Sequence, residues 1–254
     1  GLGSKVTLMG IVGKDKNNEH LRSCINEQKH ISYNVLKSES RPTTVKTRII
    51  ADNRQLARLD SEVTHEIPDE IISAITDKII ENIKNIDGII IQDYNKGLLT
   101  PSLIKNIIDH SDNYEIPVYV DPKYNNYSSY KGVRLFKPNL VEYNAIAKED
   151  EFGSLPKSGF RFKDYMQSEI LLLTRGSSGM LIYYDGMQKS IPTKARQVFD
   201  VSGAGDTVIA TFALNDLCGV DPINSAIIAN LAAGRVCEDV GVSPITLDSL
   251  IDFF

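Results

Sequence analysis

From position 69 onward, short runs of purely apolar residues alternate with stretches whose apolar residues recur at helical spacing. In "DEIISAITDKIIENIKN" the isoleucines fall three or four residues apart, and "GIIIQ" follows as a continuous apolar run. The alternation continues through "PSLIKNIIDHS", "PVYVD", "RLFKP", "NLVEYNAIA", "EILLLT" and "GMLIYY". Strands that are apolar on both faces belong to parallel sheets covered by helices. The pattern predicts an α/β fold with a mostly parallel central sheet, closed by helices over 206–217, 221–239 and 247–254.

One segment, within 40–62, departs from this alternation. In "TTVKTRIIADNRQLARLDSE" the residues Thr43, Val45, Thr47 and Ile49 alternate with polar or cationic residues, and a second β-prone run follows "ADNR". Two such runs around a turn predict a β-hairpin. Inserted into an α/β domain, the hairpin suits a lid or a dimer contact, and a plain surface hairpin is the alternative.

The bulk properties fit one globular domain over 1–254. The chain has 254 residues, of which 42% are hydrophobic, and a formal net charge of −5 without a long basic block. This balance argues against a nucleic-acid or membrane-surface role, and no apolar run is long enough to span a bilayer. The opening "GLGSKVTLMGIVG" has no initiator methionine and reads as the interior of an element. We therefore expect the domain to be incomplete at its N-terminus.

The cysteines and histidines show no ligand pattern. Cys24, Cys218 and Cys237 are odd in number and no CxxC occurs, which argues against a disulfide framework or a zinc site. The pattern predicts buried, reduced thiols in a cytoplasmic protein.

Polar residues follow several of the predicted strands at the point where each strand ends. "IIIQ" leads into "DYNKG", "VYV" into "DPK", "RLF" into "KPN", and "LLL" into "TRG". In an open parallel sheet, ligands bind at the carboxyl ends of the strands. We therefore expect these four clusters to line one shared cleft.

The stretch "DVSGAGDT", at 200–207, places small residues directly before an apolar helical run. A helix N-terminus carries unpaired N–H groups that bind anions, and Gly203, Ala204 and Gly205 leave those groups open to a phosphate. A carboxylate at Asp206 would repel that phosphate, unless it accepts a proton from a hydroxyl that attacks phosphorus. The alternative is a flexible turn with Asp206 as a simple charge at the helix start.

The motifs together resemble the ribokinase (PfkB) carbohydrate kinase family over nearly the whole chain. "DVSGAGDT" resembles its D-T-x-G-A-G-D signature, with Val201 in place of the usual threonine. "KPNLVE" is similar to its N-x-x-E motif, "TRGSSG" to its T-x-G-x-x-G loop, and "NLAAGRV" to its late helix beside the adenine. The resemblance implies a ribokinase-like three-layer sandwich, with the hairpin as a small β lid that serves as a dimer clasp.

Within the family, the chain most resembles the heptose-7-phosphate kinases of ADP-heptose synthesis. The hairpin segment, "QDYNKG" and "VDPK" are similar to the corresponding segments of those kinases. The first strand of the family and its early G-G-x-x-N sugar-binding motif have no counterpart here. The implied reaction is ATP-dependent phosphorylation of the anomeric hydroxyl of a heptose 7-phosphate.

The resemblance also implies a role for each matching residue. Asp206 is the expected general base, with the N–H groups of Gly203, Ala204 and Gly205 as the anion hole. Asn139 and Glu142 are expected to organise Mg²⁺ through water. The expected nucleotide site consists of Thr174, Gly176, Gly179 and Asn230, and the candidates on the sugar side are Lys123, Asp93 and Lys96. Each has a structural alternative, among them a solvated Lys123, an Asp93 that caps a turn and a Glu142 that is a helix-start charge.

Two other functions stay open at the level of sequence. One is a different kinase of the same family that acts on ribose, fructose or a nucleoside. The other is a non-catalytic nucleotide- or sugar-binding homologue that kept the fold. The expected partners are ATP, a sugar phosphate and a second copy of the chain, with no nucleic acid and no membrane.

Overall fold

The structure is a computed structural model, and it describes residues 1–51, 54–149, 155, 157–194 and 198–252. In these ranges the strands are β1 (Val6–Gly13), β2 (Ile31–Ser38), β3 (Val45–Ala51), β4 (Arg54–Ser61), β5 (Ile89–Gln92), β6 (Val118–Asp121), β7 (Leu135–Phe136), β8 (Ile170–Thr174), β9 (Met180–Tyr184) and β10 (Met187–Ile191). The helices are α1 (Lys16–Asn26), α2 (Asp69–Asn82), α3 (Pro101–Asn113), α4 (Leu140–Glu149), α5 (Lys157–Tyr165), α6 (Ala204–Leu217), α7 (Pro222–Val236) and α8 (Leu247–Ile251). Three short 3-10 turns complete the described elements: Ile83–Asn85, Tyr124–Ser129 and Gly176–Ser178.

The central sheet of the described chain has six strands in the order β10-β9-β8-β7-β6-β5. The strands β5 to β8 pair in parallel, while β9 and β10 run antiparallel at one side. The apolar runs read from the sequence are these strands, so the predicted mostly parallel sheet is confirmed. Because β5 to β8 run in the same direction, their carboxyl ends meet at one edge of the sheet.

Helices cover both faces of this sheet. Alternate residues of the strands point to opposite sides, since side chains alternate along a strand. One side packs against α2 to α5 and buries Ile91, Val120, Phe136 and Leu171. The other side packs against α6 and α7 and buries Tyr119, Leu135, Ile170 and Leu172 with the helix residues. The three-layer arrangement follows directly from strands that are apolar on both faces.

The predicted hairpin is also present. Strands β3 and β4 pair antiparallel in a two-stranded sheet of their own, with a register shift between Ile49 and Ile50. Residues 52 and 53, at the centre of the predicted turn, lie outside the described residues. One face carries the cross-strand pairs Thr47–Leu59 and Ile49–Ala57, and the exposed fractions of Leu59 and Ile49 are 61% and 45%. The hairpin therefore presents an apolar face to solvent.

The structure corrects several expectations near the chain start and at element ends. Residues 1–5 form no regular element, so the prediction that the chain opens inside one was wrong; β1 begins at Val6 and pairs in parallel with β2. The helix predicted over 206–217 begins at Ala204, two residues earlier, with Gly203 at its N-cap position. The helix predicted over 221–239 ends at Val236, and the one over 247–254 ends at Ile251, with 253 and 254 outside the described residues.

The cysteines are free, but they are not all buried. Cys237 is buried, whereas Cys24 and Cys218 are exposed, so the prediction of buried thiols holds for one residue in three. Cys24 lies on the largely solvated α1, and Cys218 caps the C-terminal end of α6. Among the described helices, none has the length and apolar character needed to cross a membrane.

The C-terminal end of α6 is fixed to the sheet by a largely buried ion pair. The guanidinium of Arg134 donates two hydrogen bonds to Asp216, at 2.8 and 3.0 Å, and the Tyr119 hydroxyl donates a third at 2.7 Å. A bidentate arginine–carboxylate pair holds both groups in a fixed geometry. This ion pair fixes the position of α6 on the sheet, and with it the position of the N-terminal end of the helix.

Candidate active site

The ends of the parallel strands and the start of α6 come together at one edge of the sheet. The Asp93 N–H donates to the Asp121 carbonyl at 3.0 Å, which joins the segments after β5 and β6. A β-bridge pairs Asn139 with Thr174, which joins the segments after β7 and β8. A Cβ atom built on Gly205 would lie 3.7 Å from the Lys137 Nζ, so the helix start sits on these strand ends. The four clusters expected to share a cleft are brought together.

The start of α6 has the open N–H groups that the sequence predicts. Gly203 occupies the N-cap with φ +82°, a left-handed conformation that favours glycine, and no side chain caps the helix. Ala204 N–H donates to the Val201 carbonyl at 3.2 Å. Among the described residues, the N–H groups of Gly203 and Gly205 have no acceptor. Free donors at a helix N-terminus, where the helix dipole is positive, suit an anion.

Asp206 follows these donors in the first turn of α6. Its Oδ1 accepts a hydrogen bond of 3.1 Å from the Tyr94 hydroxyl. Solvent reaches the side chain, yet the surrounding cleft desolvates its carboxylate and raises the pKa of Asp206, with a further raising effect from Asp121. The hydrogen bond from Tyr94 and the charges of Lys137 and Lys123 oppose that rise. A carboxylate with a raised pKa in an open cleft can accept a proton from a bound hydroxyl.

A buried ion pair lies directly beneath the helix start. Lys137 Nζ is 2.9 Å from Asp121 Oδ1, and both residues are buried, with exposed fractions of 2% and 7%. Gln92 donates a hydrogen bond of 2.7 Å to the other oxygen of Asp121. A buried charge needs a partner and hydrogen bonds, and this arrangement supplies both. The pair thus links the ends of β5, β6 and β7 below Gly205.

The two candidates from "QDYNKG" have partners inside the protein. Asp93 is only 2% exposed, and its carboxylate accepts from the Asn95 N–H at 2.7 Å and from the Tyr130 hydroxyl at 2.9 Å. These bonds match the turn-capping alternative for Asp93, and its contact with a sugar stays a prediction. Lys96 forms an ion pair with Glu62 at the base of the hairpin, so the hairpin is tied to the loop after β5.

Lys123 and the N-x-x-E residues form one connected group. The Asn139 N–H donates to Glu142 Oε2 and the Glu142 N–H donates to Asn139 Oδ1, both at 2.9 Å. This reciprocal exchange is a capping box at the start of α4. Glu142 Oε1 also accepts from Lys123 Nζ. Burial lowers the pKa of Lys123, but the bond and charge of Glu142, together with the charges of Asp121 and Asp93, outweigh it and leave that pKa raised.

Whether Asn139 and Glu142 suit Mg²⁺ depends on their free lone pairs. No group of three or more acidic, histidine or cysteine residues suited to a metal occurs in the described part of the chain. Each Glu142 oxygen accepts one hydrogen bond, which leaves a second lone pair on each. Mg²⁺ keeps several of its waters and binds proteins through one or two carboxylates together with substrate phosphates. The two residues therefore fit a hydrated magnesium ion held through water.

The loop after β8 is built on two glycines with positive φ. Gly176 has φ +55° and Gly179 has φ +74°. A Cβ on Gly179 would lie 2.0 Å from the Ile191 carbonyl oxygen, whereas one on Gly176 would meet no atom within 4 Å. Thr174, at the end of β8, pairs with Asn139, so the predicted nucleotide loop adjoins the predicted metal residues. Gly179 is required for the loop to pack against the segment after β10.

A pocket of about 210 Å³ lies between α7 and the segment that follows β10. Asn230 is 4% exposed in its wall and donates a hydrogen bond of 2.8 Å to the Pro192 carbonyl. The other lining residues are Lys189, Ser190, Ile191, Pro192, Lys194, Ile227 and Leu231. The pocket is mostly apolar, with two lysines among its lining residues, and the contact of Asn230 with a nucleotide stays a prediction.

Three residues of this site were not singled out from the sequence. Tyr94, Asp121 and Lys137 all stand in quoted strand-end clusters, namely "DYNKG", "VYV" followed by "DPK", and "KPN". The sequence signal that could have identified them is the one that identified the other site residues, namely a polar residue at a strand end. Nothing in the sequence alone distinguishes a lysine that points into the sheet edge from one that points into solvent.

Comparison with known proteins identifies relatives over the whole chain. A family model described as pfkB family carbohydrate kinase matches residues 1–248. The chain is 36% identical over 254 residues to the bifunctional protein HldE of Sulfurimonas denitrificans, covering 99% of this chain and 53% of that protein. It is 35% identical over 251 residues to the HldE of Helicobacter pylori, covering 98% and 54%. The chain spans about half the length of these relatives.

Solved structures share the fold. Ribokinase from Thermotoga maritima superposes with a TM-score of 0.74 at 17% identity, covering 97% of this chain and 80% of that one. Phosphofructokinase-2 from Escherichia coli in complex with potassium gives a TM-score of 0.80 at 15% identity, covering 99% and 82%. The fold is therefore ribokinase-like, as the motifs implied.

The two loop glycines give a matched pair of substitutions. Gly176→Ala is expected to lower the free energy of unfolding by about 1–2 kcal/mol, the cost of a left-handed residue with a Cβ in open space. Gly179→Ala is expected to lower it by about 3 kcal/mol or more, because backbone strain adds to a clash with the Ile191 carbonyl. Urea unfolding of both variants measures the difference. Equal losses would contradict the packing described for Gly179.

Proposed function

The chain belongs to the pfkB family of carbohydrate kinases, whose reaction is phosphoryl transfer from ATP to a sugar, and we propose that its acceptor is a heptose 7-phosphate. The reaction would place the phosphoryl group on the anomeric hydroxyl and give a 1,7-bisphosphate for ADP-heptose synthesis. Support for the acceptor comes from the sequence resemblance to heptose-7-phosphate kinases and from the identity with HldE proteins over the whole chain. We assign the reaction to the cytoplasm, where ATP and sugar phosphates are available.

The observation that carries the proposal is Asp206 at an uncapped helix start. A carboxylate next to free N–H donors supports this proposal, because such a site can bind a phosphoryl group beside an attacking hydroxyl. In the proposed step, Asp206 takes the proton of the anomeric hydroxyl as that oxygen bonds to the terminal phosphorus of ATP, and ADP leaves. The N–H groups of Gly203 and Gly205, with a contribution from Ala204, stabilise the charge on the transferred oxygens.

Magnesium would be held on the side of the cleft formed by Asn139 and Glu142. When bound, it would neutralise charge on the phosphate oxygens of ATP. The nucleotide would occupy the region between Thr174 and Asn230, with Gly176 and Gly179 shaping the loop beside it. The capping box keeps Glu142 fixed in direction, because its carboxylate is held by both a backbone N–H and Lys123.

The distal phosphate of the sugar would be recognised by cations at the cleft. The side chain of Lys123 is 40% exposed beside the buried strand ends, and Lys96 lies on the loop that carries Tyr94. A lysine ammonium attracts phosphate as a point charge. Each lysine pairs with only one carboxylate among the described residues, so its ammonium group can still bind a phosphate oxygen. We propose Lys123, the more exposed of the two, as the main contact and Lys96 as a supporting one.

The apolar hairpin face is proposed as a homodimer contact. The charged face of the hairpin is connected to the body, since Lys46 pairs with Glu62 at 2.9 Å and Glu62 pairs with Lys96. The opposite face, with Ile49 and Leu59, is exposed. Burying such a face against a second copy gains hydrophobic free energy in proportion to the area removed from water.

Substitution of the proposed base tests the mechanism. Asp206→Asn is expected to lower kcat by about 10²–10⁴-fold, because general bases contribute that much, while ATP binding is largely kept. Steady-state kinetics and ATP titration measure both quantities. Asp185→Asn is the matched control, since Asp185 is exposed in the turn between β9 and β10 and asparagine tolerates its positive φ. Near-normal turnover by Asp206→Asn would contradict the assignment of Asp206 as the general base.

A panel of acceptors tests the substrate. The kcat/KM for heptose 7-phosphate is expected to exceed that for the unphosphorylated heptose by about 10- to 200-fold, the value of one charge-assisted hydrogen bond. Lys123→Met is expected to reduce the ratio of these two kcat/KM values. Lys105→Met, which removes an exposed ion pair on α3, is expected to leave the ratio unchanged. Preferred turnover of ribose, fructose or a nucleoside would indicate another kinase of the family. ATP binding without turnover of any acceptor would indicate a binding protein.

Sedimentation tests the dimer. Leu59→Glu places a charge in the apolar hairpin face and is expected to shift the protein from dimer to monomer at micromolar concentration. Met187→Glu is the control, since Met187 is exposed on β10 and distant in sequence from the hairpin. A wild-type protein that sediments as a monomer at high micromolar concentration would contradict the contact.

A further inference from the structure

Tyr94 makes a direct contact with the proposed base that the proposed reaction does not use. Its hydroxyl donates to Asp206 Oδ1 at 3.1 Å, across a sequence separation of 112 residues. The tyrosine is 53% exposed, so burial of its ring does not explain its position. A tyrosine whose hydroxyl joins the loop after β5 to the first turn of α6 is a candidate for a role in orienting the carboxylate.

The contact leaves one carboxylate oxygen free. Within the described residues, Asp206 Oδ2 has no hydrogen-bond donor, whereas Oδ1 is held by Tyr94. A carboxylate with one oxygen anchored has lost most of its rotational freedom about the side-chain bond. The free oxygen is then the one available to accept a proton from a hydroxyl.

The loop that carries Tyr94 is held on both sides. Before Tyr94, the buried Asp93 accepts from the Asn95 N–H and the Tyr130 hydroxyl. After it, Gly97 has φ +73°, and a Cβ there would lie 1.9 Å from the His65 carbonyl oxygen. These constraints fix the backbone from which the Tyr94 hydroxyl reaches Asp206. The buried Asp93 thus acts on the site through the loop.

The groups that face Asp206 have opposing effects on its charge. Desolvation and Asp121 raise the pKa of Asp206, while Tyr94, Lys137 and Lys123 lower it. Only Tyr94, among the described residues, does so through a hydrogen bond to the carboxylate. A donor to the ionised form favours that form, so the hydroxyl keeps Asp206 ready to act as a base.

We propose that Tyr94 is a positioning residue for Asp206, which anchors Oδ1 so that Oδ2 faces the acceptor hydroxyl and stays ionised. The proposal rests on the proposed function, since it takes Asp206 as the base. It assigns Tyr94 no contact with the reacting atoms. It also gives the buried Asp93 an indirect role, as the support of the loop that carries the hydroxyl.

The test is Tyr94→Phe, which removes the hydroxyl and keeps the ring. At neutral pH we expect kcat to fall about tenfold, with the KM for ATP unchanged. The ionised form of Asp206 loses a donor, so its pKa rises and the acidic limb of the kcat–pH profile moves to higher pH. Carboxyl-carbon NMR titration of the substrate-free variant measures the same pKa rise independently of turnover.

Tyr114→Phe is the matched control, because Tyr114 is exposed at the C-terminal end of α3, away from the cleft. It is expected to leave kcat, the profile and the titration unchanged. An Asp206 titration and an acidic limb that do not move in Tyr94→Phe would overturn the proposal, even where kcat falls through lost stability. If Asp206→Asn abolishes turnover in that case, the base assignment stands and only the role of Tyr94 fails.

Discussion

The candidate site depends on the buried ion pair of Lys137 and Asp121. A parallel sheet brings its strand ends to one edge, where the twist of the sheet rotates neighbouring strands relative to one another. The side chains that follow the strands therefore need further contacts to be held together. The pair, with Gln92 as a third member, joins β5, β6 and β7 beneath Gly205. Removing one partner would leave an uncompensated buried charge, which is costly. Its two charges also act on Asp206 with opposite sign, since Asp121 raises the pKa of Asp206 and Lys137 lowers it.

Two helices begin at this edge, and their N-termini differ in a way that assigns their roles. At the start of α4, Asn139 and Glu142 each accept from the backbone N–H of the other, so side chains occupy that end. At the start of α6, Gly203 offers no side chain, and donors remain open. An anion therefore finds free N–H groups at α6, whereas α4 presents a carboxylate. This difference supports the proposal that the transferred phosphate binds at α6 and the hydrated cation at α4.

Periodicity predicted the strands β5 to β9 and the long apolar helices because these elements bury residues on a regular spacing. The same method missed β1, β2, α1, α5 and β10. In α1 only Asn18 and Ile25 are buried, and β10 reads "MQKSI" with one buried residue, so neither shows the apolar period of its element. The sequence also left Glu142 either as a residue that organises Mg²⁺ or as a helix-start charge, and the structure places its carboxylate in a capping box with Asn139. Only the hydrogen bonds distinguish a fixed carboxylate from a solvated one.

The two aspartates that flank "VSGAG" show how neighbouring carboxylates come to differ. Asp200 accepts from the Ser202 N–H at 2.9 Å and the Gly241 N–H at 3.2 Å, and these backbone bonds lower its pKa. Asp206 accepts from one hydroxyl in a desolvating cleft, and its pKa is raised. Hydrogen-bond donors to the charged form keep Asp200 ionised, and Asp200 serves as a structural part of the turn. Asp206 has one free oxygen and a higher affinity for a proton. Asp200 therefore ties the turn together through Ser202 and Gly241, whereas Asp206 has the free oxygen that the proposed base requires.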